Sequence, residues 1–314
     1  MNNKTLLFIT LLLSLLLSQG CTGKTIDQFP DADIVYQANE REQGILGFIN
    51  GDGSNNVLIE VDFFANLPSW SSDGSILFFS QIPGDQAYIP TRIGDLSTVR
   101  QGKTITRCRK GTVVGSDIHP YLDTFQVVIS NGFEINLIDA IKCRKIKTFI
   151  DYKDTNLAIA SMSISRDGSI LLFSEHSYNT ADFKGKEFAI KKMDLVTGNV
   201  ETIGQGASPI LSPDNRKVAY VWYDGFYLMD SDGSNTKRTI KYLAGEKTGS
   251  WISFFSLPPS PHWSPDGEWL VYHKCNKAVT RSCSPPSEFG IYKFNVLDGK
   301  EYKLVDGGLY PYWK

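Results

Sequence analysis

Trp263-Ser264-Pro265-Asp266-Gly267, followed by the β-rich run Glu268 to His273, is the stretch on which the reading of this 314-residue chain turns. The same phrase returns as Pro68-Ser69-Trp70-Ser71-Ser72-Asp73-Gly74 before Ile76 to Ser80, and as Ser163-Ile164-Ser165-Arg166-Asp167-Gly168 before Ile170 to Ser174. It recurs again as Pro209-Ile210-Leu211-Ser212-Pro213-Asp214-Asn215 before Lys217 to Trp222. A degenerate copy, Asp117 to Asp123, precedes Phe125 to Ile129, and Leu309-Tyr310-Pro311-Tyr312-Trp313-Lys314 opens one more. With Trp70, Ile118, Ile164, Leu211, Trp263 and Trp313 taken as equivalent, the phrase recurs every 46 to 52 residues. It is a tight reversal between two strands: Pro fixes φ, Asp hydrogen-bonds the backbone that follows it, and Gly accepts the positive φ that closes the turn.

A second reversal follows later in each unit, as in Phe226 to Asn235, Lys192-Met193-Asp194-Leu195-Val196-Thr197-Gly198 and Phe294-Asn295-Val296-Leu297-Asp298-Gly299. Each unit therefore holds four short strands, A to D, with short turns after A and after C. Four-stranded units at this period are the signature of β-propeller blades. Asp33 to Tyr36, Gly44 to Ile49 and Asn56 to Val61 read as strands B, C and D without an A, whereas Tyr310 to Trp313 reads as an A alone. Joined, they make one blade. The expected fold is all-β, a six-bladed propeller of four-stranded blades, closed by the C-terminal strand A pairing with the N-terminal strands B to D, which removes open sheet edges.

Trp263 to Gly267 and Leu228-Met229-Asp230-Ser231-Asp232-Gly233-Ser234-Asn235 closely resemble the repeat of the TolB-like six-bladed propellers, a WD40-like repeat, and the resemblance covers nearly all of residues 33 to 314. It implies a single propeller domain over 33–314, without the α/β domain that TolB itself carries ahead of its propeller. It is specific for fold rather than for function.

Residues 1 to 20 read as a signal peptide: one cation, Lys4, then an apolar run from Leu6 to Leu17, then Ser18-Gln19-Gly20. That run is too short to favour a membrane-spanning helix. Cys21, next in line, resembles the lipidated first residue of a bacterial lipoprotein, and Thr22 resembles the outer-membrane sorting pattern. A plain secreted chain is the alternative. Residues 21–32 are then a tether, and the protein is expected to be exported, periplasmic or anchored to the outer membrane by lipid alone.

Export places the other four cysteines, Cys108, Cys143, Cys275 and Cys283, in an oxidising compartment where two disulfides are possible. Cys275 with Cys283 is favoured because the residues between them read as a polar loop, and Cys108 with Cys143 follows by exclusion. Zinc is the other use of such residues, but there is no C-x-x-C pair.

The chain is 41% hydrophobic and 21% charged, which excludes a disordered protein, and its formal charge of -2 offers no basic excess for nucleic acid. No G-x-S-x-G nucleophile elbow occurs, which argues against a serine hydrolase. His262 and His273 fall on adjacent strands of one blade, diagonally on one face, and are the candidate metal pair, although ordinary packing explains them and no third ligand is evident. Asp230, Asp232 and Asn235 read as a hairpin turn rather than a calcium loop, and Trp70, Trp263 and Trp313 as packing between blades.

Loop lengths single out one face. Turns after A and C are short, whereas the connections Gln81 to Thr91, His176 to Lys186, Lys241 to Pro261 and Lys274 to Ser287 are long and share the other face. The aromatic stretch Trp251-Ile252-Ser253-Phe254-Phe255 is either a lid over the channel or an anchor for a partner, and Trp251, Phe254, Phe255, Tyr88 and His176 are the candidate partner contacts. The function expected is that of a monomeric, non-catalytic protein-binding scaffold of the bacterial cell envelope, with no cofactor. The alternative is a carbohydrate-active enzyme or glycan-binding propeller resembling the oligogalacturonate lyases.

Overall fold

The computed structural model describes residues 30–38, 44–61, 64–71, 73–82, 95–100, 103–108, 117–122, 124–177, 188–222, 225–241, 261–276 and 286–314. The strands among them are β1 (Ile34–Gln37), β2 (Gly44–Ile49), β3 (Val57–Val61), β4 (Phe64–Trp70), β5 (Ile76–Ile82), β6 (Asp95–Arg100), β7 (Lys103–Cys108) and β8 (Asp117–Pro120). They continue as β9 (Gln126–Ser130), β10 (Glu134–Asp139), β11 (Arg144–Asp151), β12 (Leu157–Ile164), β13 (Ile170–Ser177), β14 (Ala189–Asp194), β15 (Val200–Gln205) and β16 (Ala207–Leu211). The last are β17 (Lys217–Trp222), β18 (Gly225–Asp230), β19 (Lys237–Lys241), β20 (His262–Trp263), β21 (Trp269–Cys275), β22 (Phe289–Asn295), β23 (Glu301–Asp306) and β24 (Leu309–Trp313).

They pair into six four-stranded sheets. Five are consecutive meanders, β4 to β7, β8 to β11, β12 to β15, β16 to β19 and β20 to β23, and the other has the order β24-β1-β2-β3, built from both ends of the chain. The architecture is thus an all-β propeller of four-stranded blades.

The recurrent phrase folds as its chemistry requires. Ser71, Ser165, Ser212 and Ser264 each donate their hydroxyl to the aspartate two residues on, at 2.6, 2.6, 2.7 and 2.5 Å. The same aspartates accept the backbone N–H of Ser75, Ser169, Arg216 and Glu268. Gly74, Gly168 and Gly267 follow with φ of 65°, 69° and 73°, and Asn215 fills the place at 60°. A local hydrogen-bond set thus shapes these four A–B turns, and in the β8–β9 turn Thr124 Oγ1 takes the corresponding part, donating to the Tyr121 carbonyl and accepting the Gln126 N–H.

Packing follows from the two-residue period of a strand. Buried apolar residues form six clusters, each shared by two neighbouring sheets. In β9, Val127 and Ile129 face Ile76 and Phe78 of the preceding sheet, while Val128 faces Met162 and Phe173 of the next. In β17, Val218 and Tyr220 meet Leu172 and Ile190, and Ala219 and Val221 meet Trp263 and Tyr272. In β21, Val271 turns the other way, onto Ile34, Tyr36 and Ile49 of the sheet that joins the termini. That sheet in turn packs Val35 and Phe48 on Trp70 and Leu77. Both faces of each second strand are therefore apolar, which is why those strands read as continuous hydrophobic runs rather than alternating ones. Trp70 and Trp263 lie buried within the seams and Trp313 half-buried against one.

Closure is direct: Ile34 pairs with Trp313, Val35 with Tyr312 and Gln37 with Leu309, and the Lys314 N–H donates to the Asp33 carbonyl. Cys108, at the end of β7, is disulfide-bonded to Cys143 in the turn before β11, with the Cα atoms 5.3 Å apart. The bond staples the β4–β7 sheet to the β8–β11 sheet across their seam. Cys275 is also disulfide-bonded, and its expected partner Cys283 lies outside the described residues. Among the described residues no helix is long and apolar enough to cross a membrane.

Candidate functional site: the axial channel and its two faces

The first strand of every sheet lines one axis. Halfway along it, Leu67, Asp117, Ser161, Ser208, His262 and Tyr310, from all six sheets, border a cavity of only about 30 Å³. Space of that order holds one or two waters. Three of these strands are bulged with a non-glycine residue at positive φ immediately before a proline: Leu67 at 52°, Ser208 at 49° and Tyr310 at 47°. All three residues line the constriction.

The polar groups at this waist are mostly engaged with one another. Asp117 Oδ1 lies 3.3 Å from His119 Nε2, and Oδ2 accepts the Met162 N–H from the next sheet at 2.8 Å. His119 faces His262 across the axis with ring centroids 5.9 Å apart, and His262 packs on Tyr312 at 4.0 Å. Burial, reinforced by the neighbouring His119, holds the His262 imidazole well below its ordinary range, so it is neutral at pH 7. Burial likewise drives the Tyr310 and Tyr312 phenols upward. Ser161 Oγ bridges Ser174 Oγ and the Ser208 N–H, while Ser208 Oγ is buried without a hydrogen-bond partner.

Where the five A–B turns and the C-terminal end of β24 converge the channel widens to about 110 Å³, lined by Trp70, Arg166, Trp263, Trp313 and Lys314 with His262 and Tyr312 at its floor. Beside it an open groove of about 570 Å³ runs between the sheet that joins the termini and the β20–β23 sheet, lined by Asp33, Asp52, Asp266, Trp269 and Lys293. Lys293 Nζ sits 4.2 Å from the Trp269 ring and donates to the Gly51 carbonyl at 2.7 Å.

The candidate metal pair does share a face, since His262 pairs with Val271 and His273 lies diagonally beyond it. Each imidazole has its own neighbours, however. His273 Nδ1 accepts the Tyr310 N–H at 3.2 Å, and the ring sits edge-on to Phe289 and Tyr310. Among the described residues no group of three or more His, Cys, Asp or Glu is arranged to hold a metal ion. Asp230 and Asn235 close their own turn: Asn235 Nδ2 and Lys217 Nζ both donate to the Asp230 carboxylate at 2.5 Å. His176, at the end of β13 on the long-connection face, packs on Phe188 with centroids 4.9 Å apart. Trp251, Phe254, Phe255, Tyr88 and Cys21 lie outside the described residues. Sequence reasoning missed the Asp117–His119 pair and its approach to His262, because residues far apart in the chain meet only when the ring closes.

No protein-family model matches the chain, and no curated protein matches it. Solved structures do. TolB from Acinetobacter baumannii superposes with a TM-score of 0.64 at 16% identity, over 90% of this chain and 66% of that one. The fold is a TolB-like propeller. A putative TolB from Agrobacterium tumefaciens gives a TM-score of 0.60 at 16% identity, covering 89% of this chain and 92% of the other. An oligogalacturonate lyase in complex with manganese gives 0.51 at 16% identity, covering 86% and 71%. This chain thus spans just under two thirds of the Acinetobacter TolB chain, and identities this low describe the TolB-like architecture rather than an activity.

Proposed function

We propose that this protein is an exported, lipid-anchored propeller with six blades that acts as a non-catalytic protein-binding scaffold of the cell envelope. The observation that carries the reading is the channel: a waist of about 30 Å³ below a mouth of about 110 Å³ falls well short of the roughly 300 Å³ that a pocket seating a substrate beside the Asp, His and Tyr side chains would need. Recognition then falls to the ends of the wheel. The long connections share one end, and loops of variable length on a rigid frame are where contacts concentrate. Cross-linking in intact cells followed by co-purification tests this: envelope proteins are expected with the native chain and lost from the Trp251→Ala, Phe255→Ala variant at unchanged melting temperature. Loss of stability without loss of the cross-linked partners would instead make those aromatics a lid.

The second reading is a carbohydrate-active enzyme, favoured by one observation, the approach of His119 and His262 beside Asp117 on the axis. Metal analysis of the purified chain and a screen on acidic oligosaccharides separate the two. Stoichiometric metal dependent on His262, together with turnover, would replace the scaffold reading.

A further inference from the structure

The two most exposed large aliphatic side chains among the described residues are Val196 at 86% and Leu297 at 78%, and Ile141 is exposed at 45%. Single exposed aliphatics are ordinary. These three, however, occupy the same place in the same turn. In the C–D turns of their sheets, Asp139, Asp194 and Asn295 each accept through Oδ1 the N–H groups two and three residues on, which sets Ile141, Val196 and Leu297 at the tip. Cys143, Gly198 and Gly299 then close each turn at positive φ.

All three tips point to one end of the wheel. Five A–B turns and the C-terminal end of β24 gather around the 110 Å³ mouth, so the first strands all run the same way, and in an antiparallel meander the C–D turn lies at the same end as the A–B turn. The chain also enters the fold there: Ile34 pairs with Trp313, and Asp31 lies 3.4 Å from Lys314 Nζ, at that same mouth. The tether from Cys21 therefore reaches the wheel at the end that carries the aliphatic tips.

We propose that the short-turn face rests on a lipid surface, with Ile141, Val196 and Leu297 entering the interface. This builds on the lipid-anchor reading of Cys21. Separate apolar points around a ring suit a fluid apolar phase, which accepts them together, better than a protein groove, which needs them contiguous. Lys142 and Lys300, both well exposed beside two of the tips, are paired with Asp139 and Asp298 of their own turns at 3.9 and 3.4 Å, so they add no free positive charge to the face. The aspartates of the turns on this face oppose anionic lipid, so neutral phosphatidylcholine–phosphatidylethanolamine vesicles are the favoured surface, and added anionic lipid should weaken the contact. The long-connection face is then turned away from the membrane.

The test uses the full lipidated chain in such vesicles, labelled with an environment-sensitive fluorophore through Val196→Cys, Leu297→Cys or, on the opposite face, Phe133→Cys. Nitroxide-labelled lipid supplies the quencher, and the mass of the N-terminal peptide reports acylation of Cys21. At least twofold stronger quenching at positions 196 and 297 than at 133, reduced by anionic lipid, is the expected result. Equal quenching at the three sites, or quenching at 133 alone, overturns the orientation while leaving an acylated Cys21 intact. An unmodified Cys21 overturns the anchor reading and the orientation with it.

Discussion

The Asp167 carboxylate accepts hydrogen bonds from the Ser165 hydroxyl first and then from the Ser169 hydroxyl and N–H, and these hold its pKa down at about 2. An acid whose folded pKa lies below its unfolded value of about 3.9 adds stability that is complete above that value and lost as pH falls through the folded one. Asp167→Asn is therefore expected to cost about 1 kcal/mol at pH 7, as a lost turn hydrogen bond does, and to flatten the acid decline between about pH 4 and pH 2 in thermal melts. His262 works with the opposite chemistry. Its buried ring is neutral in the fold but takes a proton in the unfolded chain below about pH 6.5, so stability falls as pH drops through that value. Melting temperatures at pH 7.5 and 5.5 should differ less in His262→Phe than in the native chain, and an equal difference would contradict this account of the waist. The Ser–Asp turn was legible in the sequence because the hydrogen bonds that shape it are local, whereas the bond from Asn215 Nδ2 of the next sheet to Asp167 was not. The neighbours of His262 were not, because His119 and Tyr312 arrive from other blades.

Strands whose two faces are both buried announce themselves, and β9, β13, β17 and β21 were read from the sequence to within a few residues. The first strand of each unit was harder to bound. In β4, β16 and β24 a bulge and an X-Pro step interrupt the alternation, and nothing in Leu67-Pro68, Ser208-Pro209 or Tyr310-Pro311 announces a positive φ. The Cys108–Cys143 pair followed from counting cysteines, but its role as a link between neighbouring sheets did not, because that depends on which strands lie side by side. The bridge joins residues separated by 35 positions, a loop whose closure constrains the unfolded chain by about 4 kcal/mol in the chain-entropy picture. Replacing both cysteines with serine is expected to lower stability by about 2–4 kcal/mol in denaturant melts. Proteolysis should then begin in the segment around residues 103–117. Unchanged stability would mean that the packing of Ile76 and Phe78 on Ile118 and Val127 holds this seam unaided.

At the scale of the molecule, every sheet buries one face against its predecessor and the other against its successor, and the last seam returns to the first. Such a ring has no end at which unfolding can begin cheaply. This was legible from the sequence through the repeat and the complementary ends, whereas the 30 Å³ waist was not, since it arises where side chains from all six sheets converge. The long connections that carry Tyr88, Trp251, Phe254 and Phe255 fall outside the described residues. The central claim is that β24 is structural mortar for the entire wheel. Thermal unfolding of the chain lacking residues 309–314 tests it most directly. The account predicts one cooperative transition lowered by about 10 °C or more, because the buried Leu309 and the half-buried Tyr312 and Trp313 leave two seams at once. A native melting temperature, or loss of the terminal sheet alone with the others intact, would contradict it.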